Sequence, residues 1–129
     1  MILIDTSAWI EFLRDTDSPV CNQVEAQLDQ EIIVPDPVRM EILAGARNDI
    51  HLNQLRKLLA RGIFVHTEAT DFESAATLFR QCRAKGETVR KLMDCLIAAV
   101  AIKHNTAVLH MDADYDVLIR HTALQGFPL

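Results

Sequence analysis

Four short apolar runs alternate with segments of helical periodicity, and this alternation predicts an α/β fold. The runs are Ile2–Ile4, Ile32–Val34, Ile63–His66 and Ala107–His110. Strands separated by helices favour a mostly parallel central sheet, here of four to five strands flanked by helices. The fifth strand, at the edge of the sheet, would contain Leu124.

The length and composition indicate one domain, residues 1–129, with an aliphatic core. Half of the residues are hydrophobic but only 5% are aromatic. No apolar run approaches the roughly 18 residues of a membrane span, and the apolar N-terminal run is too short for a signal peptide, so we expect a cytoplasmic location. The three cysteines form no C-x-x-C pair, so neither a disulfide framework nor a zinc site is indicated.

Capping signals set the predicted helix starts. The expected N-caps are Thr6 or Ser7, Ser18, Asp36 and Thr88, and a short last helix would start within Asp112–Asp116. A further helix would begin with the capping box Thr70–Glu73 and end at Gly86. The helix after Thr88 is predicted to run to His104.

Three acidic residues follow two of the predicted strands. Asp5 comes directly after Ile2–Ile4, and Asp112 and Asp114 come after Ala107–His110. Because open α/β sheets bind ligands at the carboxyl ends of their strands, these side chains are candidates for a functional site. Asp5 and Asp114 could also cap the helices that follow, and Asp112 could be a turn residue.

Two further acids fall on the inward stripes of predicted helices. Glu41 shares a stripe with Val38 and Ile42, and Asp94 lies within the almost wholly apolar segment Leu92–Ala101. A buried carboxylate costs desolvation free energy unless something pairs with it. Glu41 could instead reach water or pair with a nearby arginine. Asp94 has no such alternative in its own segment and favours a functional role, since Asp is a poor residue for a helix interior.

Carboxylates that converge in one place repel one another and raise each other's pKa values. A hard divalent cation, Mg²⁺ or Mn²⁺, relieves this repulsion through oxygen ligands. The five histidines are scattered along the chain and do not indicate zinc. The pattern therefore predicts one metal-binding acidic site, formed by Asp5, Glu41, Asp94, Asp112 and Asp114.

The net charge of −5 is unusual for a protein that binds nucleic acid. Without the five candidate acids, however, acidic and basic residues are equal in number. Eight of the 13 basic residues lie between Arg56 and Lys91, against four acids. Arg83, Lys85, Arg90 and Lys91 are candidates for contacts with a nucleic-acid backbone, and a solvated surface is the equal alternative.

Four segments resemble, in order and spacing, the motifs of the PIN-domain family. They are Ile2–Ile10, Val38–Gly45, Gly86–Ala99 and Val108–Tyr115, and together they run nearly end to end. Each segment by itself is weak evidence for the family, whereas four segments in this order in so short a chain are specific evidence. The resemblance is greatest to VapC-type toxins.

The resemblance implies a Mg²⁺- or Mn²⁺-dependent endoribonuclease that cleaves RNA and acts as the toxin of a toxin–antitoxin pair. It also implies a VapB-like antitoxin as partner and a homodimer. The implied site consists of Asp5, Glu41, Asp94 and Asp112, with Asp114 beside it.

Within that site, our hypothesis is that Asp5 and Asp94 bind the first ion directly, while the other acids bind waters or a second ion. The resemblance implies that Thr6 or Ser7 supports the site by hydrogen bonding. Many relatives carry Thr and Phe around the fourth acidic segment, where this chain has His110 and Tyr115, so the shape of that loop is open.

Three other functions are compatible with acids at the ends of strands. A phospho-accepting receiver domain would carry two adjacent acids after its first strand and a lysine after Ala107–His110, and this chain has neither. A PIN scaffold that only binds partners would be expected to lose the acids that this chain keeps. A DNA nuclease of related fold stays open, because no single residue selects RNA.

Overall fold

The computed structural model describes residues 1–129. Its strands and helices follow one another in the order β1 (Ile2–Ile4), α1 (Thr6–Leu13), α2 (Pro19–Gln27), β2 (Ile32–Pro35), α3 (Asp36–Ala44), α4 (Asp49–Leu59), β3 (Ile63–Val65), α5 (Ala69–Ala84), α6 (Leu92–Lys103), β4 (Ala107–Leu109) and α7 (Ala113–His121). None of these helices has the length and apolar character needed to cross a membrane.

The sheet has four strands in the order β3-β2-β1-β4, and every neighbouring pair is parallel. This confirms the predicted α/β architecture. Strands β1 and β2 are buried along their whole length, which explains their uninterrupted apolar sequence. The predicted fifth strand is reduced to a single parallel bridge between Val108 and Gly126, and Leu124 is buried just before it.

The carboxyl ends of β1 and β4 lie side by side. Ile4 is paired with Leu109, and the Asp5 amide donates to the Leu109 carbonyl at 2.9 Å. Strand β2, which follows β1 in the chain, pairs with one side of β1, and β4 pairs with the other side. The direction in which successive strands are added to the sheet therefore reverses at β1. Crevices at such reversal points are the usual ligand sites of open α/β sheets.

Helix α6 is buried on almost every side. Every residue from Asp94 to Ala101 is buried, and the helix packs against α3, α5, α7 and β4. A helix that is apolar all round belongs in the core, which accounts for the lack of polar residues in this segment. Asp94 is therefore held in position by the packing of the whole helix.

Several predicted helix starts are wrong by two to four residues. Helix α6 begins at Leu92, with Lys91 as its N-cap, and Thr88 lies in the preceding loop. The capping box of α5 is formed by Glu68 and Asp71, two residues before the predicted one.

Two other N-caps differ from the prediction, because the side chains expected to cap the helix form long-range contacts instead. Asp36 does not cap α3, since its carboxylate accepts the Thr67 amide at 3.0 Å near the end of β3. Asp5, rather than Thr6 or Ser7, caps α1. Gly86 follows the end of α5 with a φ of 86°, a conformation that glycine adopts without strain, as predicted.

Candidate active site

Asp5 lies at the end of β1 and is only 3% exposed. Its Oδ2 accepts hydrogen bonds from the Ser7 amide at 3.0 Å and the Ser7 hydroxyl at 2.6 Å. The Ser7 hydroxyl oxygen accepts the Met111 amide at 2.9 Å and so connects this strand end to the loop after β4. Asp5 thus has both roles considered from the sequence, because it caps α1 and also lies in the acidic crevice.

Asp5 and Asp94 meet at the hydroxyl of Tyr115. This hydroxyl donates to Asp5 Oδ1 at 2.6 Å and lies 3.5 Å from Asp94 Oδ1. Tyr115 is fully buried, so its position is fixed by the packing of α7. The two acids that were expected to bind the first ion directly are therefore neighbours, although they are 89 residues apart in the sequence.

Asp94 is the acid whose surroundings most clearly call for a cation. It is 6% exposed, and its Oδ2 is buried without a hydrogen-bond donor. Burial raises the pKa of Asp94 to about 8, with further contributions from the negative charge of Asp5 and a hydrogen bond with Asp114. Near neutral pH the metal-free site consequently keeps a proton on Asp94, which a bound cation would displace.

Glu41 extends from α3, is exposed, and lies outside the cluster of Asp94, Asp112 and Asp114. Its Oε1 accepts the Thr6 hydroxyl at 2.9 Å, which ties α3 to α1. Val38 and Ile42 on the same helix are buried, so Glu41 lies at the edge of the apolar stripe, as one of the two sequence-based alternatives proposed. Thr6 and Ser7 both hold acids of the site by hydrogen bonds, as the resemblance implied.

Asp112 and Asp114 lie at the start of α7, where cationic groups of the chain contact both. Asp112 is the N-cap and forms ion pairs with Arg90 at 3.2 Å and with Lys91. Asp114 is 2% exposed, and its Oδ1 accepts the amide and the Nε of Arg90, each at 3.1 Å. Its Oδ2 accepts the Lys91 amide at 3.1 Å. Asp114 therefore fastens the loop that leads into α6.

The geometry fits a hard divalent cation. Carboxylate oxygens of Asp94, Asp112 and Asp114 lie within 4.8 Å of one another, and Asp5 is joined to Asp94 through Tyr115. The donors are all oxygen atoms, as Mg²⁺ and Mn²⁺ prefer. The unpaired Asp94 Oδ2 is the buried atom that such an ion would satisfy.

Sequence reasoning missed two features of this site. In the sequence Tyr115 stands only as a departure from the family pattern, whereas in the structure its hydroxyl links the two central acids. Arg90 and Lys91 were considered for nucleic-acid contacts, whereas in the structure they pair with acids. The spacing of three residues between Lys91 and Asp94 was a visible signal, since such pairs share a helix face.

We expect the affinity for Mn²⁺ to depend on pH because of Asp94. Its folded-state pKa is about 8, so below that pH the ion must displace a proton. The apparent dissociation constant should then rise about tenfold for each unit that the pH falls from 8 to 6. Titration calorimetry in buffers of different ionisation enthalpy should detect close to one proton released per ion at pH 7. An affinity that does not change over this range would show that Asp94 is already ionised.

Tyr115→Phe is expected to weaken Mn²⁺ binding by about 10- to 100-fold, the usual effect of losing a side chain that orients a metal ligand. The change removes the hydroxyl that holds Asp5 Oδ1 and leaves the aromatic ring in place. Its stability cost should be small, about 1 kcal/mol, because one hydrogen bond is lost. Calorimetric titration with Mn²⁺ and a thermal melt would check both values, and unchanged affinity would argue that Tyr115 only fills the core.

Comparison with known proteins places this architecture in a family. The PIN domain model matches residues 2–121. The chain is 45% identical over 130 aligned residues to VapC ribonuclease Mb1587 of Mycobacterium bovis and to ribonuclease VapC11 of Mycobacterium tuberculosis, which covers 98% of this chain and 97% of each relative.

Solved structures share the fold at lower sequence identity. VapBC2 from Rickettsia felis superposes with a TM-score of 0.78 at 19% identity, covering 98% of both chains. FitAcB from Neisseria gonorrhoeae superposes with a TM-score of 0.71 at 21% identity, covering 99% of this chain and 97% of that one. With its acidic crevice at the sheet reversal and its extensive similarity to VapC ribonucleases, the chain belongs to the PIN-domain family, in the VapC-type branch.

Proposed function

We propose that this chain is a metal-dependent endoribonuclease that hydrolyses RNA phosphodiester bonds and acts as the toxin of a toxin–antitoxin pair. One observation carries the proposal. Asp5 and Asp94, from a strand end and a core helix, converge on one hydroxyl, and a buried oxygen of Asp94 has no donor. The names of the relatives, which are 45% identical, support ribonuclease chemistry.

Asp5 and Asp94 would hold Mg²⁺ or Mn²⁺ directly. When bound, the ion supplies a water of lowered pKa and positive charge for the phosphate oxygens. Tyr115 keeps Asp5 Oδ1 in place, and Asp94 gives up the proton that it holds in the metal-free site. Glu41, which is exposed and has one oxygen without a partner, would orient or deprotonate the attacking water.

A basic cavity beside Glu41 supports RNA as the substrate. It has a volume of about 390 Å³ and includes Arg14, Arg47 and His51 together with an apolar floor. Neither arginine forms an ion pair within the chain, despite the net charge of −5. Guanidinium groups suit phosphate, and an apolar floor suits a base or a ribose. Arg14 lies at the end of α1, whereas Arg47 and His51 lie around the start of α4, so no sequence motif indicated this set.

Replacing both arginines (Arg14→Ala with Arg47→Ala) should weaken binding of a single-stranded RNA about tenfold. Two lost phosphate contacts should also reduce the slope of log affinity against log salt concentration by about 1.4. Binding can be measured without cleavage in an Asp94→Asn background. Arg80→Ala, on the exposed face of α5, is the matched control. Equal effects of the double variant and the control would remove this cavity from the proposal.

We also propose an antitoxin and a second copy of this chain as partners. Structures with the same fold include a toxin–antitoxin complex from Klebsiella pneumoniae, with a TM-score of 0.71 at 18% identity, which supports an antitoxin for this chain. The acidic crevice would accept a basic group from a VapB-like antitoxin in competition with the metal ion. The homodimer is implied by the family resemblance, and light scattering on the purified chain would test it.

The direct experiment is a cleavage assay on total RNA, with Mg²⁺, with Mn²⁺ or with EDTA, followed by mapping of the new ends. We expect cleavage with either ion, none with EDTA, and no cleavage of single-stranded DNA of matched sequence. Cleavage that persists in EDTA would refute metal dependence. Cleavage of DNA at the same rate would favour the alternative of a DNA nuclease.

A further inference from the structure

Three of the five candidate acids already have a cation of the chain within ion-pair distance. The Lys91 ammonium is bonded to Asp112 Oδ2 and lies 3.7 Å from Asp94 Oδ2. The Arg90 guanidinium contacts Asp112 at 3.2 Å and Asp114 at 3.1 Å. Cations of the chain therefore pair with the acids on one side of the crevice, whereas none pairs with Asp5 or Glu41 on the other side.

The hydrogen bonds set Asp94 apart from the other buried acids, since both oxygens of Asp5 accept donors from Ser7 and Tyr115. Both oxygens of Asp112 are used, since Oδ1 accepts from the Asp114 amide and from Arg90, and Oδ2 accepts from Lys91. Both oxygens of Asp114 accept donors from the loop before α6. In contrast, Asp94 Oδ2 has no donor, although it is buried. Asp94 Oδ2 is therefore available to bind a metal ion, whereas both oxygens of Asp112 already accept hydrogen bonds.

The position of Lys91 also bears on a second ion. With five carboxylates and the cations Arg90 and Lys91, one divalent ion leaves the crevice slightly negative, and a second makes it slightly positive. A second divalent ion would have to bind next to an ammonium group already in contact with Asp112, and like charges at that distance repel.

We propose that the Lys91 ammonium takes the place of a second metal ion, so that the site binds one divalent ion, beside Asp5 and Asp94. The inference rests on the proposed metal-dependent function. Lys91 stands at the N-cap of α6, three residues before Asp94, and its side chain is 55% exposed. Its ammonium can therefore contact Asp112 and still present a proton donor to a substrate phosphate.

The test is a count of bound Mn²⁺ by titration calorimetry and by electron paramagnetic resonance of free Mn²⁺, on the full chain without RNA. The parent is expected to bind one equivalent. Lys91→Met, which keeps the length of the side chain but removes its charge, is expected to bind two, because Asp112 loses its ammonium partner. Lys91→Arg, which keeps the charge, should bind one.

Lys103→Met is the matched control, because Lys103 also pairs with two acids, Glu68 and Asp71, but away from the crevice. It should bind one equivalent, like the parent. Two tight equivalents in the parent, or one in Lys91→Met with the fold intact by circular dichroism, would overturn the inference and leave the proposed function standing. Absence of Mn²⁺ binding in the parent would instead overturn the proposed function and this inference with it.

Discussion

Asp94→Asn is expected to abolish RNA cleavage and, at the same time, to stabilise the metal-free protein. Loss of a direct ligand removes most of the charge stabilisation by the ion, and a loss of about 4 kcal/mol corresponds to about a thousandfold lower rate. The fold should persist, because Asn keeps the volume of the side chain and can still accept from the Tyr115 hydroxyl.

The gain in stability follows from the raised pKa of Asp94. Its folded-state pKa is about 8, and the unfolded value is about 3.9. Between these values the folded chain holds a proton that the unfolded chain releases, so the free energy of unfolding falls as the pH rises through this window. Asn does not titrate, so the free energy of unfolding of the variant does not fall in this way. The advantage of Asp94→Asn should be absent below about pH 4 and reach about 5 kcal/mol near pH 8.

Thermal melts in EDTA at pH 4 and pH 8, together with cleavage assays in Mg²⁺, would measure both effects. Asp116→Asn is the control, since Asp116 is an exposed acid on α7. A variant that cuts RNA as fast as the parent would refute the proposed site. A variant less stable than the parent at pH 8 would show that the Asp94 carboxylate is paired in the metal-free protein.

Asp114→Ala is expected to cost about 2–3 kcal/mol of stability, because the amides of Arg90 and Lys91 would lose their buried acceptor. For a domain of this size the midpoint of thermal unfolding should fall by roughly 10 °C. Cleavage should fall by about a hundredfold as well, because the loop that leads into α6 positions Asp94 and small displacements of reacting groups are costly.

The stability of the metal-free variant shows whether Asp114 anchors the loop before α6 or serves only as a metal ligand. A pure metal ligand, when removed, would leave the metal-free protein as stable as before or more stable, through relief of charge repulsion. Thermal melts in EDTA distinguish these outcomes, and Asp116→Ala on the same helix should leave the midpoint within about 2 °C. Unchanged stability of Asp114→Ala would return Asp114 to the set of metal ligands.

The candidate acids could be predicted from the sequence because together they follow strand ends and fall on inward helix stripes, although most of them have an ordinary explanation when taken singly. Asp94 interrupts an apolar helix, and Asp5 follows a strand that is apolar throughout. Helix starts were less predictable, since Asp36 and Thr88 have the residue types of N-caps but neither caps a helix. A side-chain oxygen caps the nearest helix only when no stronger long-range donor competes, and the Thr67 amide competes for Asp36.

Local periodicity by itself determined the α/β class and the parallel sheet and predicted the candidate acids, because the burial of strands and helices leaves its period in the order of apolar residues. The partners of those acids were decided only in three dimensions. Tyr115 between Asp5 and Asp94, and Lys91 against Asp112, join groups from different elements. Such contacts depend on the packing of α6 and α7 against the sheet, and no spacing along the chain records it.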